Sequence, residues 1–160
     1  MKKFIYSSHR ENYAIVTEFG FFDKLPPQMQ SELTKHIFWR TEENFSEFFK
    51  GCERSFINRI IVSLSQKIFV DEQLIQSANA FCHEVYFVNR GRVAVREPTC
   101  YHETILFYGE GSVINVYQVL MDTYLELIFR ATGATTELLT IDREMLLEAC
   151  QRFPESAAVI

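Results

Sequence analysis

Tyr86-Phe87-Val88-Asn89-Arg90-Gly91-Arg92-Val93-Ala94-Val95-Arg96 decides how the second half of the chain is read. In Arg92–Arg96 apolar and charged residues alternate, the period-two pattern of a half-buried strand, with valines on one face and arginines on the other. Glu84–Val88 is a β-rich run of its own, and Asn89-Arg90-Gly91 supplies turn residues between the two. The same grammar repeats downstream. Runs at Thr104–Tyr108, Ser112–Asn115, Leu125–Ala131 and Glu137–Ile141 are punctuated by Gly109-Glu110-Gly111 and Thr132-Gly133. With Lys67–Val70 and Gln73–Gln76 upstream, about eight short strands succeed one another at the spacing of a sandwich or barrel.

Before Gln66 the apolar period is helical. Leu25-Pro26-Pro27 signals a helix entry, because a first-turn proline lacks only a donor that would be orphaned anyway. Met29, Leu33 and Ile37, extended by Trp39, mark one face over residues 27–38. Glu42–Phe49 reads as a short amphipathic helix stopped by Gly51, its Phe45, Phe48 and Phe49 stripe facing the core. Phe56, Ile57, Ile60, Ile61 and Leu64 place a third helix over 53–66, and residues 8–19 form another. After the strands, Asp142 caps a helix over Arg143–Cys150, and Pro154 ends it. The chain thus divides into a helical lead-in, 1–65, and a roll with its closing helix, 66–160. The fold class is α+β: an antiparallel, jelly-roll-like β-roll with N-terminal helices and a C-terminal helix, not an alternating α/β fold.

Composition narrows the function. The 160 residues are 48% apolar, 14% aromatic and 23% charged, enough for an ordinary core. A net charge of −5 disfavours nucleic acid as a partner. No apolar run approaches the ~20 residues of a bilayer-spanning helix, so direct membrane insertion of this segment is not expected. Cys52, Cys82, Cys100 and Cys150 lie far apart and read as reduced, buried thiols. Cys82-His83 and Cys100-Tyr101-His102 lack the CxxC spacing of a zinc site. The scattered histidines have no placed acid or nucleophile beside them, and no enzyme is expected.

Taken in order, Phe49-Lys50-Gly51-Cys52, Phe56-Ile57-Asn58-Arg59-Ile60-Ile61 and Tyr86 through Gly91 resemble the cyclic-nucleotide-binding domain, above all that of voltage-gated potassium and cyclic-nucleotide-gated channels. Leu25-Pro26-Pro27-Gln28-Met29 with Leu33 and His36 looks like the end of the C-linker, the helical collar between pore and nucleotide domain. Glu137 through Arg143 resembles the last strand entering the B helix. The resemblance covers residues 22–155. It implies a cytosolic regulatory domain of an ion channel or related transporter, on the cytoplasmic side of a membrane. Its partners would be the rest of its own chain and copies of itself, as a homotetramer or dimer through the lead-in.

The resemblance also implies a ligand site made of a glycine, an acid for the ribose hydroxyl, and an arginine for the cyclic phosphate. This chain departs at each. Asn115 stands for the glycine, Val116 for the acid and Leu125 for the arginine, with Phe129-Arg130-Ala131 anchoring the register. A charge-assisted hydrogen bond contributes ~1.5–3 kcal/mol, so losing both charges weakens binding by roughly two to four decades. Leu125, Leu127 and Phe129 make that wall apolar, and Glu126 adds negative charge where an anion would sit. A degenerate cassette at Asn115, Val116, Leu125 and Glu126 is therefore expected, with no cofactor and with cAMP or cGMP disfavoured. The alternatives are a sensor of cyclic nucleotide or another small ligand, as in a voltage-sensing sodium/proton exchanger, and a stand-alone scaffold. Turns depart too. Asp71-Glu72 replaces the family's Pro-Gly, and Asn79 replaces a later glycine. Asn tolerates left-handed backbone, whereas Glu72 there would be strained.

Overall fold

A computed structural model describes residues 26–99 and 103–160. The elements run α1 (Pro27–Asn44), α2 (Arg54–Val62), β1 (Ser65–Val70), β2 (Leu74–Gln76), β3 (Ala80–Phe81), β4 (Glu84–Arg96), β5 (Thr104–Tyr108), β6 (Val113–Ile114), α3 (Val116–Met121), β7 (Tyr124–Leu125), β8 (Ile128–Asp142), α4 (Arg143–Arg152) and α5 (Pro154–Ala157). One antiparallel sheet is ordered β1-β8-β4-β5, with β2 on β8 and β6 on β4, and β3 pairs with β7. The helices flank it, so this is the expected β-roll.

Two expected breaks are bends within single strands. β4 and β8 pair from Glu84↔Asp142 to Arg96↔Ile128, and the register shifts between Val88 and Arg92. Gly91 (φ 85) and Gly133 (φ 97) lie in that irregularity. The bulge changes parity. Tyr86 and Val88 share a cluster with Val93 and Val95, although strict alternation would put the two pairs on opposite faces. Asn89-Arg90-Gly91 and Thr132-Gly133 are therefore not inter-strand connections, and four expected strands merge into two.

The helical boundaries shift as well. α1 runs past residue 38 to Asn44, and Phe45–Lys50 continues as hydrogen-bonded turns, Phe45 N–H donating to Thr41 O at 3.1 Å. The separate helix over Glu42–Phe49 is thus absorbed, and Gly51 (φ 85) ends the segment. α2 stops at Val62, leaving Leu64 buried in the connection to β1. Met29 and Trp39, assigned to an apolar face, are 53% and 56% exposed, while Phe38 packs on the core and Thr41 is buried. The helix expected over 8–19 lies outside the described residues. Asp142 occupies the N-cap of α4 without a side-chain capping bond, and Pro154 opens α5.

Helices and sheet meet around Phe87. Its ring is met edge-on by Phe45 at 5.1 Å and Phe48 at 5.2 Å and is stacked with Phe49 at 6.4 Å. Phe56, Ile60, Ile61, Leu139, Ile141 and Leu146 complete this helix-side cluster. The roll interior is a second cluster of Tyr86, Val88, Val93, Val95, Ile114, Phe129 and Leu138.

The turn from β1 to β2 takes the strained conformation. Glu72 has φ 62, and its carboxylate is gripped by both terminal nitrogens of Arg96 at 2.6 Å. Its carbonyl accepts from Arg130 at 2.6 Å and its N–H donates to Ala131 at 3.0 Å. Left-handed backbone at a non-glycine costs ~1–2 kcal/mol, and these bonds offset it. Arg96, from the arginine face of its strand, acts as a clamp with its side chain only 14% exposed.

A Cβ added at Gly91 would lie 2.7 Å from the Thr135 carbonyl oxygen, whereas one at Gly109 would meet nothing within 4 Å. Gly91→Ala should therefore destabilise the fold by more than ~2 kcal/mol and Gly109→Ala by under ~0.5 kcal/mol. Urea unfolding of both variants checks this pair of values, and equal losses would contradict the bulge.

Candidate functional site

The cassette between β6 and β8 starts at Asn115, which is 5% exposed and has φ 70 and ψ 13. A left-handed residue suits glycine first and asparagine next, so Asn115 has a backbone conformation that a glycine at this position would also take. The chain then makes the short helix α3, turns at Asp122 (φ 54) and enters β7.

The Asn115 side chain starts a buried polar chain. Its Nδ2 donates to Gln76 Oε1 at 2.7 Å, and Gln76 Nε2 donates to Cys82 Sγ at 2.8 Å. The Leu125 backbone hydrogen-bonds the same sulfur. Asn115 and Leu125, the two ends of the cassette, are thus joined through Gln76 and Cys82. Main-chain bonds add to this: Asn79 N–H to Leu125 O at 2.8 Å, Cys82 N–H to Thr123 O at 3.2 Å and Thr123 N–H to Gln118 O at 2.9 Å. Burial pushes the Cys82 thiol up from its ordinary value, partly offset by the bonds from Gln76 and Leu125. Burial likewise raises Cys52 and Cys150.

The remaining site residues separate. Val116 is half-buried and packs against the helix-side cluster. Leu125 is half-buried and touches both clusters, so it bridges helices and roll interior. Leu127 and Phe129 follow it into the roll cluster. Glu126 points outward, into a surface hollow of about 320 Å³ that also includes Glu97 and Leu127. The structure brings Asn115, Val116 and Leu125 into one packed unit and leaves Glu126 outside it. Arg130 does not face this unit, since its guanidinium holds Glu72. Gln76 was missed as a site residue. Its only sequence signal is a polar amide ending an apolar run, a residue that needs a partner when buried.

Asn115→Ala should cost ~2–4 kcal/mol, because it strands the buried Gln76 oxygen and puts alanine at positive φ. Asn115→Gly should cost about 1 kcal/mol less, since glycine relieves the backbone term. Thermal unfolding of both variants measures the difference, and indistinguishable values would contradict a strained Asn115.

No protein-family model matches the chain, and no curated protein does. Solved structures do. The catabolite activator protein of Thermus thermophilus superposes with a TM-score of 0.59 at 20% identity, over 69% of this chain and 53% of that one. The regulatory subunit of a cAMP-independent protein kinase A from Trypanosoma cruzi, bound to guanosine, gives a TM-score of 0.60 at 14% identity, over 71% of this chain and 38% of that one. The chain spans about half or less of the length of these relatives, and both are regulatory proteins by name. The likeness is one of fold, and the fold is that of the cyclic-nucleotide-binding domains.

Proposed function

We propose that a chain with this fold is the cytosolic regulatory domain of an ion channel or related transporter, its cassette held by its own side chains instead of by a nucleotide. The observation that carries the proposal is Leu125. It stands where the resemblance puts the arginine for a cyclic phosphate, and it is packed between two apolar clusters. Glu97 and Glu126 in the neighbouring hollow would repel an anion. Without a counter-ion and without an acid at Val116, affinity falls by roughly two to four decades. Such a domain transmits force by packing. Its helical lead-in favours the transport setting, and the exposed Met29 and Trp39 on α1 give that helix apolar surface for neighbouring subunits.

A second reading follows from the guanosine in the kinase regulatory subunit. An uncharged nucleoside needs no arginine, so a sensor of nucleosides is compatible with Leu125.

Titration calorimetry with cAMP, cGMP and guanosine tests both readings. No saturable heat is expected below about 1 mM for any of the three. Micromolar binding of cAMP or cGMP would overturn the self-held cassette, and binding of guanosine alone would select the nucleoside sensor. Pore-forming helices encoded upstream of residue 1 are expected from the transport setting, and a coding sequence without them favours the stand-alone scaffold.

A further inference from the structure

The helix α1 has two opposite faces. At about 100° per residue, Phe38 and Thr41 point to one side, where Phe38 packs on the helix-side cluster and Thr41 is buried. Met29, Glu32, His36, Trp39, Arg40 and Glu43 all fall within ~60° of the opposite direction, and all are exposed. Met29 and Trp39 are the large apolar members of this strip, and the Trp39 ring lies beside His36 with centroids 6.0 Å apart. An apolar strip on the side of a helix turned away from its own core is a surface for contact. Trp39, Arg40 and Glu43 are exposed on the same turns that bury Phe38 and Thr41 behind them, so the body of the domain does not obstruct this face.

The charges on the strip select its occupant. Glu32 lies four residues before His36 and Arg40 four residues after it, about one turn to either side. No ion pair joins Glu32 or Arg40 to another described residue. A second copy of α1 laid antiparallel about a two-fold axis at His36 sets Glu32 against the partner's Arg40 and Arg40 against the partner's Glu32. Each Trp39 then lies between the axis and one of these ion pairs, covered by the other helix. Met29 comes level with the partner's Glu43 at the rim, where a carboxylate stays in water. A parallel pair would instead set Glu32 against Glu32 and Arg40 against Arg40, and such like-charge contacts oppose it. The strip is thus complementary to itself in one orientation, the reversed one.

We propose that two copies of this chain pair through the outer face of α1, antiparallel, with Met29, Trp39 and the Glu32–Arg40 ion pairs at the contact. The 18 residues of α1 span about 27 Å, so the contact falls at the small end of specific interfaces, under ~1,200 Å² in total. A weak, reversible dimer follows, with a dissociation constant on the order of 10–100 µM. This pairing rests on the reading of α1 as a subunit surface and gives it an orientation and a register. It does not depend on how the cassette treats nucleotides, and the nucleotide titrations and the upstream coding sequence test the rest of that reading separately.

The test is sedimentation velocity of the full chain from about 1 to 500 µM, with the fluorescence of Trp39, the single tryptophan, followed over the same range. The average mass should climb from monomer toward dimer as concentration rises, and Trp39 emission should move to the blue in step with it. Glu32→Arg and Arg40→Glu should each weaken the dimer by about tenfold, because the two-fold axis repeats every charge contact. The doubly substituted chain carries the same pairs reversed and should return to within about threefold of the original. Both positions are exposed, so neither variant disturbs the fold. A monomer over the whole range, whether the face stays open or another part of the chain covers it, would overturn the pairing. So would a dimer that forms without a change in Trp39 emission, single variants that dimerise as well as the original, or a double variant no tighter than the single ones.

Discussion

The buried hydrogen bond from Asn115 Nδ2 to Gln76 Oε1, 2.7 Å long, is the constraint from which the cassette's shape follows. A left-handed residue at the mouth of α3 lets the chain turn inward from β6, and only a side chain with its own polar partner makes asparagine a stable choice there. Gln76 is then fixed from both ends, by Asn115 and by Cys82, and the sulfur lies beside the Leu125 backbone. A partly satisfied chain of this kind would be worse than an apolar filling, so its members hold together or fail together.

Leu125 follows from the same geometry. Its backbone is held by Asn79 and Cys82, and its side chain enters the seam between the roll interior and the helix-side cluster. A cation at this position would face a desolvation cost unless an anion offset it. A leucine removes that cost and adds apolar burial worth ~1.5–3 kcal/mol if complete. On the proposed reading, a phosphate would have little to offer such a domain, because a ligand shifts a conformational equilibrium only by its differential affinity for the two states.

Much of this was legible in the sequence, for stated physical reasons. Alternation at Arg92–Arg96 and helical spacing at Phe56–Leu64 report local periodicity, which burial imposes directly. The Phe45 and Phe49 stripe was legible as core because helix stripes face their own domain. Asn79 was legible as a left-handed turn, and its φ is 58. The bends in β4 and β8 were not, since Gly91 and Gly133 look alike in a turn and in a bulge, and only pairing across the sheet tells them apart. The clamp of Glu72 by Arg96 was hidden because it spans 24 residues. Gln76 was hidden for the related reason that a buried polar atom's partner exists only after folding.

Amide hydrogen exchange at Asn79, Cys82 and Thr123, whose N–H groups bond to Leu125, Thr123 and Gln118, tests the self-held cassette most directly. Slow exchange in the free protein, unchanged by saturating cAMP, is the outcome that a cassette fixed by its own side chains requires. Rapid exchange in the free protein that slows by about tenfold or more on adding cAMP would contradict it.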